Sequence, residues 1–242
     1  MYLAIDIGNT LQKAAVFTSE GDMAFYLEEK ILPEDKIFHL IQNHNISNAI
    51  LASVGEETDH WETALYNRCR VLHFTHTTPL PIRIQYEHPT TLGLDRMAAA
   101  VGAHAIFPNE NVLVIQAGTC LVQDFITADG TYLGGAISPG LEMRLEALHH
   151  FTHRLPRIEK QQIDYFIGRS TEQSILSGVI HGLADEINSS IERYTHHFGK
   201  LKIILTGGNK NDLEKSIKNT IFAAPNLVLK GLYNILIFNA KK

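Results

Sequence analysis

The hydrophobic and polar positions of this chain alternate in short blocks, and the first blocks predict a β-hairpin. Residues 2–5 form an apolar run, and a second apolar run extends from Leu11 to Phe17. Between them lies the polar turn Asp6-Ile7-Gly8-Asn9-Thr10. Two such runs joined by a tight Gly-Asn turn are typical of paired antiparallel strands. A third strand from Met23 to Glu28 is expected after Glu20-Gly21, which completes a three-stranded meander.

The same pattern returns in the second half of the chain. Val112 to Ile115 is an apolar run, Gln116-Ala117-Gly118-Thr119 is the turn after it, and a returning strand is predicted from Leu121 to Ile126. The next turn again pairs an acid with a glycine, Asp129-Gly130, and the third strand is expected to end at Gly134-Gly135. The repetition predicts a duplicated meander, with one copy in residues 1–112 and the other in residues 113–242.

Helical patterns alternate with the strands, which predicts an α/β fold. Pro33-Glu34-Asp35 suits a helix start, because proline fits the first turn and acids favour its positive end. Ser170-Thr171-Glu172-Gln173 is a capping box that begins the longest predicted helix, which extends to Tyr194. The remaining predictions are helices over 58–66, 97–105, the segment carrying Leu141, Leu145 and Leu148, and the segment after Lys230-Gly231, strands over 48–54, 71–74 and 201–205, and a loop over 75–89.

Composition and charge narrow the class of protein. Hydrophobic residues make up 45% of the 242 positions and charged residues 19%, as in an ordinary globular protein. The net charge of −5 and the absence of a basic run argue against a nucleic acid partner. No apolar stretch approaches the roughly 18–20 residues that cross a bilayer, and the N-terminus does not resemble a signal peptide. Cys69 and Cys120 suggest neither a disulfide framework nor a zinc site. We expect a cytoplasmic protein without a membrane partner.

The polar residues of the first turn suit the phosphates of a nucleotide. Gly8 allows backbone N–H groups to approach a ligand, Asn9 and Thr10 add neutral donors, and Asp6 can hold a hydrated Mg²⁺. An ordinary polar hairpin turn would explain the same residues without a ligand. The second copy at residues 116–119 favours the phosphate interpretation. Two such hairpins facing each other across a cleft are the arrangement of the actin, sugar-kinase and Hsp70 ATPase superfamily, which this chain resembles.

The stretch from Tyr86 to Arg96 is the second candidate for chemistry. Gly93 allows a sharp approach, and Asp95-Arg96 opens a predicted helix of small residues. An acid near a helix N-terminus is ordinarily a capping residue, so Asp95 has both a structural and a functional interpretation. Arg96 can bind a carboxylate or phosphate through two parallel hydrogen bonds.

Six motifs in register closely resemble type III pantothenate kinase, and together they span essentially the whole chain. Each motif alone is weakly specific, whereas six in this order are highly specific. A P-loop, G-x-x-x-x-G-K-[ST], is absent from the sequence. The matching segments are Asp6 to Thr10 with Lys13, Tyr86 with Gly93 to Arg96, Gly118-Thr119, Gly134 to Gly140, Gly168 to Thr171 and Thr206 to Gly208.

The resemblance implies a fold, a reaction and a set of site residues. The fold is a pair of duplicated ribonuclease H-like domains, each a mixed sheet with flanking helices, as in actin-like ATPases. The reaction is transfer of the ATP γ-phosphoryl group to the 4′-hydroxyl of pantothenate, the first step toward coenzyme A. The implied ATP-binding residues are Asp6, Ile7, Gly8, Asn9, Thr10, Leu11, Gln12, Lys13 and Thr119. Asp6 is expected to anchor Mg²⁺ through water.

The resemblance also implies where pantothenate binds. Asp95 is the expected general base, and Thr171 is expected to contact the substrate near the interface of a homodimer. The implied pantothenate-binding residues are Tyr86, Gly93, Leu94, Asp95, Arg96 and Thr171. The nucleotide is expected near Thr206 to Gly208.

Two departures from the family pattern keep other functions open. Relatives usually have aspartate at the position of Gln116, where it binds a monovalent cation, K⁺ or NH₄⁺, and commonly threonine at the position of Val122. The cation site is therefore doubtful here. One alternative is a regulatory or binding paralogue with weakened catalysis. Another is a related kinase that acts on a different hydroxy acid.

Overall fold

The computed structural model of the protein describes residues 1–8, 10–53, 65–209, 213 and 216–240. The chain divides into two compact units. The first unit comprises residues 1–108, 130–132 and 226–242, and the second comprises residues 109–129 and 133–225. This division differs from the boundary expected at 112/113, because two later segments return to the first unit.

Most of the strands and helices occur where the hydrophobic pattern predicts them. The strands are β1 (Tyr2–Ile7), β2 (Gln12–Phe17), β3 (Met23–Glu29), β4 (Asn48–Ser53), β5 (Arg70–His73), β6 (Arg83–Ile84), β7 (Val112–Ala117), β8 (Cys120–Ile126), β9 (Thr131–Pro139), β10 (Lys202–Thr206) and β11 (Phe222–Ala223). The helices are α1 (Glu34–Asn43), α2 (Leu94–Ile106), α3 (Leu141–His150), α4 (Thr171–Phe198) and α5 (Leu227–Ala240). Within the described residues, no helix is long and apolar enough to cross a membrane.

The sheet of the first unit has the strand order β3-β2-β1-β4-β5. β1 to β3 form the predicted antiparallel meander, and β4 and β5 extend it in parallel with β1. Leu3, Ile5 and Val16 face a core that they share with Ile37 and Leu40 of α1. The opposite face of the same strands carries Asp6 and Lys13, because successive side chains of a strand point to opposite faces.

Helices α2 and α5 of the first unit pack with their backbones in close approach. A Cβ atom placed on Gly231 of α5 would lie 1.7 Å from the carbonyl oxygen of Ala98, and one on Gly102 of α2 would lie 2.8 Å from that of Leu227. Glycine is therefore required at both positions by packing. The contact fixes α2, which carries Asp95 and Arg96 in its first turn.

The second sheet has the order β11-β10-β7-β8-β9-β6. β7 and β8 form the second predicted hairpin, and β10 lies parallel to β7. Leu113, Ile115 and Phe125 face the core of the second unit, where α3 and α4 supply Leu145 and Leu176. β6, which belongs to the first unit, pairs in parallel with residues 131–132 at the start of β9.

The capping box at the start of α4 forms in part as predicted. The hydroxyl oxygen of Ser170 accepts a hydrogen bond from the backbone N–H of Gln173 at 3.2 Å. The Gln173 side chain accepts from the backbone N–H of Arg169 at 2.8 Å, rather than from Ser170. The cap therefore orders residue 169 as well as the first turn of the helix.

Three boundaries predicted from the sequence are wrong. β9 does not end at Gly134-Gly135 but continues to Pro139, and a Cβ on Gly135 would lie 1.7 Å from the carbonyl oxygen of Gln123 on the neighbouring strand. Gly135 therefore serves close strand contact rather than strand termination, and Gly134 adopts a φ of +100° that favours glycine. α5 begins at Leu227, before Lys230-Gly231, and the predicted loop over 75–89 contains β6. Of the predicted helix over 58–66, residues 58–64 lie outside the described residues.

Candidate active site

The first hairpin places its charged residues in a row across the sheet. Asp6 of β1 is directly opposite Lys13 of β2, and Lys13 is directly opposite Glu28 of β3. At the turn, the backbone N–H of Gly8 donates to the carbonyl oxygen of Leu11 at 3.2 Å. A Cβ on Gly8 would lie 2.9 Å from that oxygen, so the turn is tight enough to favour glycine. Of the residues predicted here, Asn9 lies outside the described part.

The other predicted ATP-binding residues of the hairpin lie on or beside this turn. Thr10 is exposed, and Ile7 and Leu11 are partly buried. The Gln12 side chain is already used, because its carbonyl oxygen accepts the backbone N–H of Leu32 at 2.7 Å. That bond anchors the loop before α1 to the hairpin.

The carboxyl group of Asp6 is in an environment that disfavours its charge. Burial, and then the negative charge of Asp95, raise the pKa of Asp6 to about 6, and Lys13 only partly offsets these effects. The desolvated carboxylate of Asp6 is repelled by the carboxylate of Asp95, and a bound cation would relieve this repulsion. Carboxylate oxygens are also the ligands that Mg²⁺ prefers. The residues present therefore fit a magnesium ion at Asp6.

Lys13 also pairs with a second acid. Its ammonium nitrogen lies 3.2 Å from the carboxylate of Glu28. The hydroxyl of Tyr26 donates to the same carboxylate, and this bond, with Lys13, lowers the pKa of Glu28 despite partial burial. Burial and then the bond to Glu28 raise the pKa of Tyr26. Neither Tyr26 nor Glu28 was singled out in the sequence, because only the cross-strand register shows that they adjoin Lys13.

The start of α2 presents Asp95 to solvent. The helix begins at Leu94, its N-cap is Gly93, and no side chain caps it, so Asp95 is not the capping residue. Asp95 is exposed, and a Cβ on Gly93 would lie 2.5 Å from its carboxylate oxygen Oδ1. Glycine therefore allows the carboxylate to fold back over the helix start.

Arg96, the next residue, is buried with only 7% of its surface exposed. Its guanidinium carbon lies 5.9 Å from the ring centre of Tyr86, within the range of a cation–π contact. The Tyr86 ring in turn lies 6.2 Å from that of Tyr132. The structure thus brings together Asp6, Lys13, Tyr86, Asp95 and Arg96 in the first unit.

The second hairpin turn is packed against glycines of two other segments. The backbone N–H of Gly118 donates to the carbonyl oxygen of Cys120 at 3.1 Å, and the carbonyl oxygen of Thr119 accepts the N–H of Gly140 at 3.0 Å. A Cβ on Gly140 would lie 2.2 Å from the carbonyl oxygen of Gly118. A Cβ on Gly207, which has φ +97°, would lie 2.3 Å from that of Ala117. Thr119 itself is exposed.

Gln116 is the penultimate residue of β7, directly before Ala117. It is directly opposite Val122 on β8 and Thr206 on β10. Its amide nitrogen Nε2 is buried, and no hydrogen-bond partner for it is found among the described residues. An orphaned N–H₂ group suits an acceptor such as a phosphate oxygen, and it does not ligate a cation. The residues as they stand therefore fit a monovalent cation poorly.

Asp124 shares the face of the sheet that carries Gln116. It is opposite Val114, so it is diagonal to Gln116 and two positions further from the turn. The side chain is completely buried. Asp124 is therefore a neighbour of Gln116 across the strands, which sequence spacing alone did not establish, although it lies away from the turn.

Thr171 lies in a different part of the second unit. It is the first residue of α4 and is exposed. With Arg144, Phe151, Arg169 and Gly178 it lines a surface cavity of about 1170 Å³ between α3 and the start of α4. Gly118 and Thr119 are not among the described residues that line this cavity.

Comparison with known proteins identifies the fold and then the family. The structure of the activator of 2-hydroxyisocaproyl-CoA dehydratase from Clostridium difficile, with bound ADPNP, matches with a TM-score of 0.58 at 12% identity, covering 99% of this chain and 95% of that one. The fold is the duplicated ribonuclease H-like fold of actin-like ATPases and sugar kinases. The fold and the two glycine-containing hairpin turns place the molecule in this structural class, and they do not by themselves define its reaction.

The sequence comparisons are more specific. The family model described as type III pantothenate kinase matches residues 2–193. A type III pantothenate kinase from Flavobacterium johnsoniae is 43% identical over 233 residues, covering 96% of each chain. One from Christiangramia forsetii is 42% identical over 244 residues, covering 99% of each. The chain belongs to the type III pantothenate kinase family.

Proposed function

We propose that the protein transfers the γ-phosphoryl group of ATP to the 4′-hydroxyl of pantothenate, the first committed chemistry toward coenzyme A. Family membership supports the substrate pair. The observation that carries the reaction is the proximity of the exposed acid Asp95 to the desolvated Asp6, with Lys13 beside it. A candidate base therefore adjoins a candidate metal position, which is what phosphoryl transfer requires.

The first hairpin binds the nucleotide phosphates in this proposal. Asp6 anchors Mg²⁺ through water, and the backbone of residues 7–12 approaches the phosphates at the Gly8 turn. Lys13 exchanges its contact with Glu28 for a phosphate oxygen. When bound, Mg²⁺ neutralises charge on the transferring group, and Asp6 becomes fully ionised because the cation removes the cost of its charge. Thr119 donates its hydroxyl to the γ-phosphate from the second hairpin.

The start of α2 binds and activates pantothenate. Asp95 accepts the proton of the attacking hydroxyl, and its exposed carboxylate leaves room for a substrate to approach. Arg96, held by Tyr86, meets the pantothenate carboxylate, while Gly93 and Leu94 line the same position. Phosphoryl transfer requires little covalent chemistry from a protein, so these groups act mainly by positioning and charge stabilisation.

We further propose that the enzyme acts in the cytoplasm as a homodimer, and that Thr171 contacts pantothenate near the interface. The cavity beside Thr171 supports a substrate or a partner at this surface. A weakened regulatory paralogue is the second candidate function. It is favoured by one observation, the amide at position 116 where relatives have a carboxylate. A kinase for another hydroxy acid would keep Asp6 and Asp95 and differ around Arg96.

The test is to incubate the purified protein with Mg-ATP and pantothenate and to measure phosphopantothenate. We expect product formation, and Asp95→Asn should lower kcat by about 10²–10⁴-fold with little change in ATP binding. Asp35→Asn is the matched control, because Asp35 is also an exposed acid at the second position of its helix. No product from the wild-type protein would refute the kinase proposal, and near-normal turnover of Asp95→Asn would refute the role of Asp95.

A further inference from the structure

The first turn of α3 makes hydrogen bonds to the second hairpin turn at Thr119, to Pro139 and to Asn209. Gly140, its N-cap, donates its N–H to the carbonyl oxygen of Thr119 at 3.0 Å. Two charged side chains of the same turn, Glu142 and Arg144, reach in different directions. Neither was a candidate from the sequence, since Glu186, which pairs with Arg144, is 42 positions away and Asn209, which bonds to Glu142, is 67 positions away.

Glu142 closes a triangle of hydrogen bonds with Asn209 and Lys160. Asn209 donates from Nδ2 to the Glu142 carboxylate at 2.6 Å and accepts from Lys160 Nζ at 2.6 Å. Lys160 Nζ lies 3.1 Å from the other oxygen of Glu142. Both polar atoms of the Asn209 amide are therefore fixed, and its side chain has a single orientation consistent with these partners.

Asn209 transmits this restraint to the second hairpin. It ends the loop Thr206-Gly207-Gly208-Asn209, it is only 7% exposed, and its backbone N–H donates to the carbonyl oxygen of Ala117 at 2.9 Å. Ala117 immediately precedes the turn. A side chain on α3 thus fixes the loop after β10 against the end of β7.

Arg144 fixes the other side of the turn. Its Nε donates to the carbonyl oxygen of Pro139 at 2.8 Å, and its Nη2 pairs with the carboxylate of Glu186 on α4. Ser138 donates its hydroxyl to the same carboxylate at 2.6 Å. The segment 138–140, which contacts Gly118 and Thr119, is therefore held from both α3 and α4.

The acids of both arms are stabilised as anions. Burial opposes the charge of Glu142, but hydrogen bonds from its own backbone amide, Lys160 and Asn209 outweigh it and lower its pKa. Burial likewise opposes the charge of Glu186, and bonds from Ser138 and Arg144 lower its pKa. At neutral pH both arms are charge-assisted, and such hydrogen bonds are the stronger kind.

We propose that Glu142 and Arg144 are positioning residues for phosphoryl transfer, which hold the Gly118-Thr119 turn and the Thr206–Asn209 loop in a fixed mutual register. The inference rests on the proposed function, which assigns phosphate binding to the turn, and on the family resemblance, which implies that the nucleotide lies near Thr206 to Gly208. The proposal assigns neither side chain a direct contact with the nucleotide. Glu142 acts through Asn209, and Arg144 acts through the backbone of residues 138–140.

The test compares Glu142→Ala with Glu146→Ala. Glu146 lies on the same helix and makes an exposed ion pair with Arg157 at 2.7 Å, outside both arms. We expect Glu142→Ala to raise the KM for ATP and lower kcat, by about tenfold each, with the KM for pantothenate within about twofold of wild type. Glu146→Ala should match the wild type. Glu142→Gln, which keeps an oxygen for Asn209, should recover part of the loss, and it replaces Glu142→Ala if that variant does not fold.

Two further measurements isolate the positioning role. Because Glu142 acts through Asn209, the double variant Glu142→Ala/Asn209→Ala should be no worse than the poorer single variant. Additive losses would overturn the route through Asn209. Wild-type kinetics in Glu142→Ala together with a lowered Tm would show a purely structural role. ADP binding, measured by calorimetry without pantothenate, separates the positioning proposal from the proposed function. A wild-type protein that is inactive on pantothenate would refute the kinase proposal. Weaker ADP binding by Glu142→Ala than by the wild type would still support the positioning role.

Discussion

Among individual side chains, Asp6 is one whose ionised form lowers the stability of the folded protein. A pKa of about 6 lies above the value of 3.8 for an ordinary aspartate, so the folded apo protein binds the proton more tightly than the unfolded chain. Stability therefore falls as the pH rises from about 4 to 6, and the full cost, at most about 3 kcal/mol, is present above that window. A bound cation removes it.

Asp6→Asn should accordingly stabilise the apo protein while abolishing activity. In EDTA at pH 7.5 we expect its Tm to exceed that of the wild type by several degrees, since about 1 kcal/mol corresponds to about 2–4 °C in a chain of this size. The gain should shrink at pH 4.5, where the wild-type carboxyl is protonated. Asp164→Asn, at an exposed aspartate, is the control. A Tm gain that is independent of pH would show that Asp6 is not desolvated.

Gln116 should make the enzyme less dependent on K⁺ or NH₄⁺ than its relatives. Its buried Nε2 is a donor without a partner among the described residues, so it can contact a phosphate oxygen where a cation would otherwise bridge. Activity measured in Na⁺, K⁺ and NH₄⁺ buffers of equal ionic strength should vary little, and Gln116→Asp should introduce activation by K⁺. Strong activation of the wild type that disappears in Gln116→Ala would mean that the amide oxygen serves a cation site.

Among the secondary-structure elements, regular strands were predictable and close contacts were not. Continuous apolar runs located β1, β2, β7 and β8, because consecutive residues of these strands are buried and both faces of each strand are largely covered. Gly135 and Gly231 were misassigned for one reason. Glycine usually marks an end, whereas here a neighbouring backbone approaches too closely for a Cβ. Such approach depends on residues distant in sequence, as do the Lys13–Glu28 and Glu142–Asn209 contacts.

The contact between α2 and α5 gives a direct test of that reasoning. Gly231→Ala should destabilise the protein by about 2–4 kcal/mol, although alanine favours a helix, because the helices must separate. Gln42→Ala, at an exposed position of α1, is the control, and it should change the free energy of unfolding by less than about 0.5 kcal/mol. Urea denaturation measures both. Equal stability of the two variants would refute the packing argument.

For the chain as a whole, the exposed surface of the second unit suits self-association. Gly178 and Gly182 are exposed on one side of α4, and an added Cβ at either would meet no atom of the described residues within 4 Å. Phe151, 82% exposed, and Phe166, 76% exposed, add large apolar side chains to the same unit. Small residues on a helix let a second backbone approach closely, so a second copy of the chain would suit this face.

We expect the protein to be a dimer by light scattering. Gly178→Leu and Gly182→Leu should leave the circular dichroism spectrum unchanged, because a Cβ added at either glycine has open space around it among the described residues. Both variants should shift the mass toward that of a monomer. His196→Leu, at an exposed position near the far end of α4, controls for added hydrophobicity. Leucine variants with an unchanged dimer mass would place any interface elsewhere.

The path of the chain between the units also sets an order of completion during translation. The chain crosses from one unit to the other at 108/109, 129/130, 132/133 and 225/226. β1 leaves the ribosome before the second unit, yet α5, which packs against α2 through Gly231, emerges after all of the second unit. Domains generally fold as units as they are synthesised, but here the second unit can finish before the first. A nascent chain halted before residue 226 would carry Asp6 and Asp95 without a completed unit to hold them together.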